Sequence, residues 1–256
     1  MKYSGFGKTD VGMKRELNED NFTVLQEEGV FVVADGMGGH NAGEVASEIA
    51  IKTITEFFKA SSLDEDMTWP YKLDPALSLD ANKLMVGIKF ANRKIFRSAA
   101  ANTSYAGMGT TVVSILTRDG ESDIYVAHVG DSRCYCFFNG EISQVTEDHS
   151  LLNEYIKAGQ ITKEQAKNFP HKNVIMRALG MKDNVLVEIQ KRAVKPGEIY
   201  VLCSDGLSDM VSDKNMAEIF SRGLTLEETA GILIDTANAN GGKDNITVIL
   251  VKVDNI

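Results

Sequence analysis

Acidic residues next to glycine follow apolar stretches at three places along the chain. Each stretch has the β-branched, apolar character of a buried strand, and the motifs are Asp35-Gly36, Gly130-Asp131 and Asp205-Gly206. A fourth aspartate, Asp244, comes shortly before another apolar stretch. A strand end holds a carboxylate rigidly and leaves it open to solvent, while glycine lets the backbone turn sharply and exposes its carbonyl.

Carboxylates gathered at one end of a sheet repel one another unless cations lie between them. Mg²⁺ and Mn²⁺ prefer carboxylate, carbonyl and water oxygens, so the four motifs together predict a metal centre. The alternative is that Asp-Gly is a common turn dipeptide. The turn explains any single motif better, whereas the metal centre explains four of them better.

The segment from Arg15 to Asn21 precedes a predicted strand and carries two adjacent acids, Glu19 and Asp20. A solvated polar loop is the simpler explanation of this composition. The functional alternative assigns Glu19 to a metal ion and Arg15 to a phosphate, because a guanidinium matches phosphate oxygens with two parallel hydrogen bonds.

A glycine-rich segment follows Asp35 and leads into a predicted helix, with His40 near the helix start. It has neither dinucleotide-binding nor Walker spacing, so its glycines suit close backbone approach to a metal. An isolated histidine is more often structural than catalytic. Its place beside the predicted metal centre, and its titration near neutrality, make His40 a candidate general acid.

The motifs of other common catalytic sites are absent from the sequence. The chain has no Gly-x-Ser-x-Gly and no His-Glu-x-x-His motif. Cys134 and Cys136 alternate on one predicted strand and are expected in the core, while Cys203 lacks the loop of a cysteine phosphatase. The small number of cysteines and histidines disfavours a zinc site.

The composition limits the partners and the compartment. The chain has 256 residues and a net charge of −9, which disfavours nucleic acid and anionic membranes as partners. Its three cysteines suit a reducing compartment. The longest uncharged stretch, 98–117, is too polar to span a bilayer. We therefore expect a cytoplasmic protein without a membrane segment.

Helical periodicity predicts helices at Ala42–Lys59, Ala81–Ala101 and Leu226–Ala239, the last after a Thr225/Glu228 capping box. Strands are predicted at Asn21–Gln26, Val30–Ala34, Thr110–Thr117, Asp123–His128, Arg133–Phe138, Val187–Ala193, Glu198–Cys203 and Asn245–Val253. Short turns join several of them, which indicates antiparallel hairpins and an α+β fold.

These residues together resemble the metal-dependent serine/threonine protein phosphatases of type 2C, in their compact bacterial form. The matches are, in chain order, Arg15-x-x-Asn18-Glu19-Asp20, Asp35-Gly36-Met37-Gly38-Gly39-His40, Gly109-Thr110-Thr111, Val129-Gly130-Asp131-Ser132-Arg133, Thr146-x-Asp148-His149-Ser150, Asn173-Val174-Ile175-x-Arg177-Ala178-Leu179-Gly180, Ser204-Asp205-Gly206-Leu207 and Gly241-Gly242-x-Asp244-Asn245-Ile246-Thr247. They span nearly the whole chain, and eight motifs in family order are far more specific than one.

The resemblance implies a single domain over residues 1–256. Its fold would be a four-layer α-β-β-α sandwich, with two central antiparallel sheets flanked by helix pairs. A flap subdomain at about 151–181 would lie beside the active site. The stretch 61–79, which contains the only tryptophan, Trp69, looks longer than a minimal bacterial member needs. We expect Trp69 to pack on the body of the domain, although it could bind a partner.

The resemblance also implies roles for the site residues. Asp35 would bridge two Mg²⁺ or Mn²⁺ ions. The other ligands would be Glu19 and the Gly36 carbonyl on one ion, and Asp205 and Asp244 on the second. A third, weaker ion would lie between Asp131 and Asp205.

Three further residues would act around these ions. Asp20 would orient water behind the ligands. Arg15 would hold the phosphate, and His40 would protonate the leaving seryl or threonyl oxygen. His40 comes four residues after Asp-Gly here, whereas the histidine comes directly after it in many eukaryotic members. His128, where a small or amide residue is more common, is expected to be a strand residue.

The implied function is hydrolysis of phosphoserine and phosphothreonine on proteins, opposing a serine/threonine kinase in bacterial signalling. A monomer is expected, although no motif defines the oligomeric state. One alternative is an inactive or catalytically weak relative that only binds phosphoproteins, but the metal-ligand motifs are all present. The other is a phosphatase of small phosphorylated molecules, which the motifs do not distinguish.

Overall fold

The computed structural model describes residues 1–38, 42–64, 67–162, 165 and 174–255. The strands are β1 (Lys2–Asp10), β2 (Asp20–Leu25), β3 (Val30–Met37), β4 (Gly109–Thr110), β5 (Val112–Leu116), β6 (Asp123–Val129), β7 (Arg133–Phe138), β8 (Glu141–Gln144), β9 (Glu188–Ala193), β10 (Ile199–Cys203) and β11 (Ile246–Asp254). The helices are α1 (Ala42–Leu63), α2 (Leu79–Ala101), α3 (Leu151–Lys157), α4 (Asp205–Ser208), α5 (Asp213–Phe220) and α6 (Leu226–Ala239).

Two sheets form the centre of the molecule. One has the strand order β1-β11-β10-β7-β8, and the other has the order β2-β3-β5-β6-β9 with β4 paired to β3. Neighbouring strands in both sheets run antiparallel. The predicted α+β class is therefore confirmed.

Alternation of side chains along the strands builds three apolar layers. On β3, Phe31 and Val33 lie between the two sheets, whereas Val30 and Val32 pack beneath α1 and α2. A third apolar layer joins the other sheet to α5 and α6. The order of layers is helix, sheet, sheet, helix, as the family resemblance implies.

Strand β1 was not predicted, because its sequence lacks the β-branched alternation that marks a strand. It pairs with β11 along all nine of its residues. A Cβ added to Gly5 would lie 2.2 Å from the Phe31 ring, and one added to Gly7 would lie 2.4 Å from the Phe22 ring. These glycines make room for aromatic rings of the opposing sheet. Strand propensity does not predict such a contact, because it considers only the residues of the strand itself.

Three smaller expectations concern local packing. Cys134 and Cys136 lie buried between the sheets as free thiols, as predicted. The capping box of Thr225 and Glu228 at the start of α6 is present. Trp69 packs edge-to-face on Phe57, with ring centroids 5.6 Å apart, which confirms its packing on the body.

The predicted flap is described only in part, since residues 163–164 and 166–173 lie outside the described ranges. The described part contains α3 and two isolated bridges, Ser150 to Ile175 and Thr110 to Leu179. The single domain with a flap stays a prediction. Among the described residues, no helix combines the length and the apolar character that a bilayer crossing demands.

Candidate metal centre

The carboxylates singled out by the sequence motifs meet at one edge of the sandwich. Asp20 and Asp35 are paired across β2 and β3, Asp205 begins α4 directly after β10, and Asp244 lies just before β11. Asp131 occupies the turn between β6 and β7. The charges of the other four carboxylates all raise the pKa of Asp35, so the structure brings all five into one electrostatic neighbourhood.

Asp35 is fixed through its backbone by a neighbouring segment. Its N–H donates to Thr111 Oγ1 at 3.2 Å, and its carbonyl accepts from Thr111 N and Thr110 Oγ1, both at 2.8 Å. Burial first, and then the surrounding carboxylates, hold the pKa of Asp35 well above its usual range. This carboxylate is both well positioned and in need of a compensating cation.

Asp20 is directed toward protein hydroxyls. Its Oδ2 accepts hydrogen bonds from Ser204 Oγ and Thr247 Oγ1, both at 2.7 Å. Burial raises the pKa of Asp20 to about 6, although these two hydrogen bonds act in the opposite direction. A carboxylate held in this way is suited to orienting water behind the metal ligands, which is the role predicted for Asp20.

Glu19 and Gly36 lie where three backbone segments meet. Gly36 N–H donates to the Glu19 carbonyl at 3.1 Å, and Glu19 N–H donates to Asn245 Oδ1 at 2.8 Å. The Glu19 carboxylate accepts from the backbone N–H of Gly43 in the first turn of α1, while burial raises its pKa. A Cβ on Gly36 would lie 2.2 Å from the Gly43 carbonyl oxygen, so only glycine permits this close approach.

Arg15 and Asp244 form an ion pair in which Nη2 and Oδ2 are 2.7 Å apart. Both side chains are partly exposed, at 48% and 37%. The sequence prediction assigned Arg15 to a phosphate and Asp244 to a metal ion, without a contact between them. The structure adds that Arg15 is the counter-ion of Asp244.

Asp131 and Asp205 line a small cavity of about 70 Å³. Burial is the largest cause that raises the pKa of Asp131 to about 6 and of Asp205 to about 7. Asp148 lies on the same cavity, but Arg133 neutralises it through contacts at 2.6 to 3.1 Å. Asp131 and Asp205, with Asp209 on the same cavity, are thereby left as carboxylates that a cation there could meet.

The donor set fits a hard divalent cation. It consists of carboxylate oxygens, among which Asp35, Asp131 and Asp205 have raised pKa values, and of the Gly36 backbone carbonyl. Oxygen ligands of this kind suit Mg²⁺ and Mn²⁺. A bound cation would also favour the charged form of each carboxylate and so reverse the pKa shifts.

A second group of possible ligands was missed by the sequence reasoning. Side-chain atoms of His128, His149 and Glu188 lie within 4.8 Å of one another, and the two imidazoles stack with centroids 4.5 Å apart. His128 Nε2 lies 2.7 Å from the Glu147 carbonyl oxygen, the type of contact that orients a metal-binding histidine. His128 is a strand residue, as expected.

The contacts of His149 oppose metal binding in this arrangement. Its Nδ1 accepts from the Gly130 N–H at 3.1 Å, so the proton of the neutral ring belongs on Nε2, which faces Glu188 Oε2 at 3.1 Å. Arg177 Nη1 lies 3.0 Å from the same Nε2 and adds a positive charge. We interpret the group as a structural support for the Gly130-Asp131 turn.

His40, the predicted general acid, lies outside the described residues. Two supporting residues, Thr111 and Asn245, stood in the quoted motifs without an assigned role. Asn245 accepts from Glu19 N–H and donates to the carbonyls of Val11 and Leu17. Their position in motifs beside the acidic residues was the available signal for such roles.

Comparison with known proteins identifies close relatives. The family model described as Protein phosphatase 2C matches residues 13–239. The serine/threonine phosphatase stp of Listeria monocytogenes is 39% identical over 254 residues, covering 96% of this chain and 94% of the relative. Protein phosphatase PhpP of Streptococcus pneumoniae is 35% identical over 249 residues, covering 96% of each chain.

Solved structures show the same similarity. The serine/threonine phosphatase PstP/Ppp of Mycobacterium tuberculosis superposes with a TM-score of 0.86 and 32% identity, over 100% of both chains. A PstP catalytic domain in complex with two manganese ions has a TM-score of 0.79 and 32% identity, over 99% of both chains.

Proposed function

The chain belongs to the protein phosphatase 2C family, and we propose that it hydrolyses phosphoserine and phosphothreonine on proteins at a centre of two Mg²⁺ or Mn²⁺ ions. The observation that carries the proposal is the group of five carboxylates formed by Asp35 and the four whose charges raise its pKa. Charges so arranged need divalent cations, and the family is one of serine/threonine phosphatases.

The candidate ligands divide around Asp35. We assign Asp35 to both ions, Glu19 and the Gly36 carbonyl to one of them, and Asp205 and Asp244 to the other. Asp131 and Asp205 would share a third, weaker ion. When bound, the ions supply the positive charge that activates a water for in-line attack on phosphorus.

The remaining residues bind and orient. Arg15 would exchange its contact with Asp244 for the substrate phosphate, whose oxygens its guanidinium matches. Asp20, held by Ser204 and Thr247, would orient water near the ligands. His40 remains our candidate for protonating the leaving oxygen.

The biological setting is proposed from the same assignment. A phosphoprotein phosphatase acts against a kinase, so we propose a partner serine/threonine kinase in a bacterial signalling system. We also propose that the enzyme is a monomer. A cytoplasmic location is proposed because its three cysteines are buried free thiols, which suit a reducing compartment.

The test is phosphate release from a phosphothreonine peptide by the purified protein. We expect release in Mn²⁺ or Mg²⁺, none in EDTA, and no effect of cysteine alkylation. Parallel assays with small phosphate esters distinguish a protein phosphatase from a small-molecule phosphatase. A folded protein that releases no phosphate from several peptides and esters in either metal would overturn the proposal and favour a binding role.

A further inference from the structure

One cavity of the described structure lies far from the metal centre. It has a volume of about 970 Å³ and is bounded by the end of α1, the start of α2 and the segment 67–73. Helix α1 begins beside Glu19 and runs for 22 residues, so the cavity lies roughly 30 Å from the carboxylates. Its volume is in the range of sites that enclose a small organic molecule.

A buried lysine gives this cavity a positive charge. Lys83 is only 6% exposed and lines this cavity. Its Nζ lies 3.5 Å from Ser62 Oγ and 5.1 Å from the centroid of the Phe58 ring. Within the described ranges, no carboxylate lies at ion-pair distance from Lys83. A buried ammonium that lacks a counter-ion is costly, which makes this position unusual.

Among the described residues, the charges around Lys83 leave it without an ion-pair partner. Arg118 also lines the cavity, and its Nη2 pairs with Asp80 Oδ1 at 2.6 Å, so the nearby acid is already engaged. Burial and then Arg118 lower the pKa of Lys83, while Asp80 and Glu28 act in the opposite direction. The third cation at the cavity is the exposed Lys72.

The outer wall of the cavity is aromatic and held in place. Trp69 packs on Phe57, and Tyr71 donates through its hydroxyl to the Lys89 carbonyl at 3.2 Å. At the end of the segment, the buried Asn82 donates to the carbonyl of Asp74 at 2.9 Å. These contacts attach the segment to α1 and α2, so the aromatic wall has a defined position.

We propose that this cavity binds a small organic anion, with its phosphate or carboxylate group against Lys83 and an aromatic part beside Trp69. The anion would supply a counter-charge that the described residues do not provide. The ring would lie against the aromatic wall, where stacking and apolar burial favour it.

Trp69 is the only tryptophan of the chain, so its fluorescence reports on the cavity directly. The protein is titrated in EDTA with AMP, 2-naphthoate, adenosine and inorganic phosphate. We expect AMP, 2-naphthoate or both to change Trp69 fluorescence saturably, with a Kd below about 1 mM. Binding of AMP identifies the anionic group as a phosphate, and binding of 2-naphthoate identifies it as a carboxylate. Adenosine, which has the ring without the anion, and inorganic phosphate, which has no ring, should bind more weakly.

Two substitutions test the role of the ammonium. Lys83→Met should weaken binding at least about tenfold and leave the melting temperature unchanged or higher, since it removes a buried unpaired charge. Lys52→Met, at an exposed position of α1, is the matched control and should bind as the parent does.

Three results would overturn the proposal. The first is the absence of a saturable response to both AMP and 2-naphthoate. The second is equal affinity in Lys83→Met and the parent. The third is a lower melting temperature of Lys83→Met, which would show that the ammonium is already satisfied within the fold.

Discussion

The Arg15 guanidinium lies 2.7 Å from the carboxylate of Asp244, a residue 229 positions later in the chain. A proposed phosphate-binding cation therefore neutralises a proposed metal ligand. The pair is partly exposed, so its own contribution to stability is small. Its importance is functional, because phosphate and Asp244 would compete for the same guanidinium.

Arg15→Ala should raise KM for a phosphopeptide about tenfold and lower kcat by less than about threefold, because Arg15 mainly binds phosphate. Steady-state kinetics in saturating Mn²⁺ measure both constants. Lys14→Ala, which removes an adjacent exposed charge, is the control and should leave KM unchanged. An unchanged KM in Arg15→Ala would count against the assigned role.

Asp205→Asn should lower kcat at least about a thousandfold while the protein remains folded, because the substitution removes a ligand charge from the metal centre. Its melting temperature in EDTA should be equal to or above that of the parent, since one repelling carboxylate is lost. Asp235→Asn, at an exposed position of α6, should keep full activity. Parental turnover by Asp205→Asn would contradict the metal assignment.

Without metal, the stability of the protein should fall as pH rises from about 4 to about 7. Burial raises the folded-state pKa values of Asp20 and Asp131 to about 6 and of Asp205 to about 7, from an ordinary value of 3.8. The folded protein therefore keeps protons that the unfolded chain has released, and this stabilisation is lost as pH rises through the folded-state values.

Thermal melts in EDTA across this pH range test that expectation. Saturating Mn²⁺ should raise the melting temperature most at the upper end of the range, where the carboxylates are charged. Asp205→Asn should show a shallower dependence than the parent. A melting temperature in EDTA that rises between pH 4 and 7 would show that the carboxylates are not strained by burial.

Thr111→Val should lower kcat about tenfold, because the Thr111 hydroxyl accepts the Asp35 N–H and lies 2.6 Å from Ser132 Oγ. Thr117→Val is a matched control at the other end of β5, since Thr117 is also buried and its hydroxyl donates to the Gly29 carbonyl. Both variants should lose about 1 to 3 kcal/mol of stability.

Chemical denaturation and kinetics on the same samples separate the two effects. The activity loss should be confined to Thr111→Val. An equal loss of kcat in Thr117→Val would mean that general destabilisation, and not the position of Asp35, limits turnover.

Much of the fold was predictable because its signals are local. The apolar run before Asp35 predicted β3, and the spacing of Thr225 and Glu228 predicted the start of α6. In the structure the predicted strand 110–117 is divided into β4 and β5. The division falls at Thr111, whose backbone N–H donates to the Asp35 carbonyl. That division arises from a contact 76 residues away, which no local pattern contains.

The sequence by itself determined the residue types of the site, the alternation that makes two apolar sheets, and the motifs that resemble one phosphatase family. Only the tertiary structure decided which of those residues touch. It paired Arg15 with Asp244, directed Asp20 to the hydroxyls of Ser204 and Thr247, and placed Lys83 and Trp69 on one cavity. The physical reason is that antiparallel sheets and packed layers join segments that are distant in sequence, so these contacts depend on the whole fold.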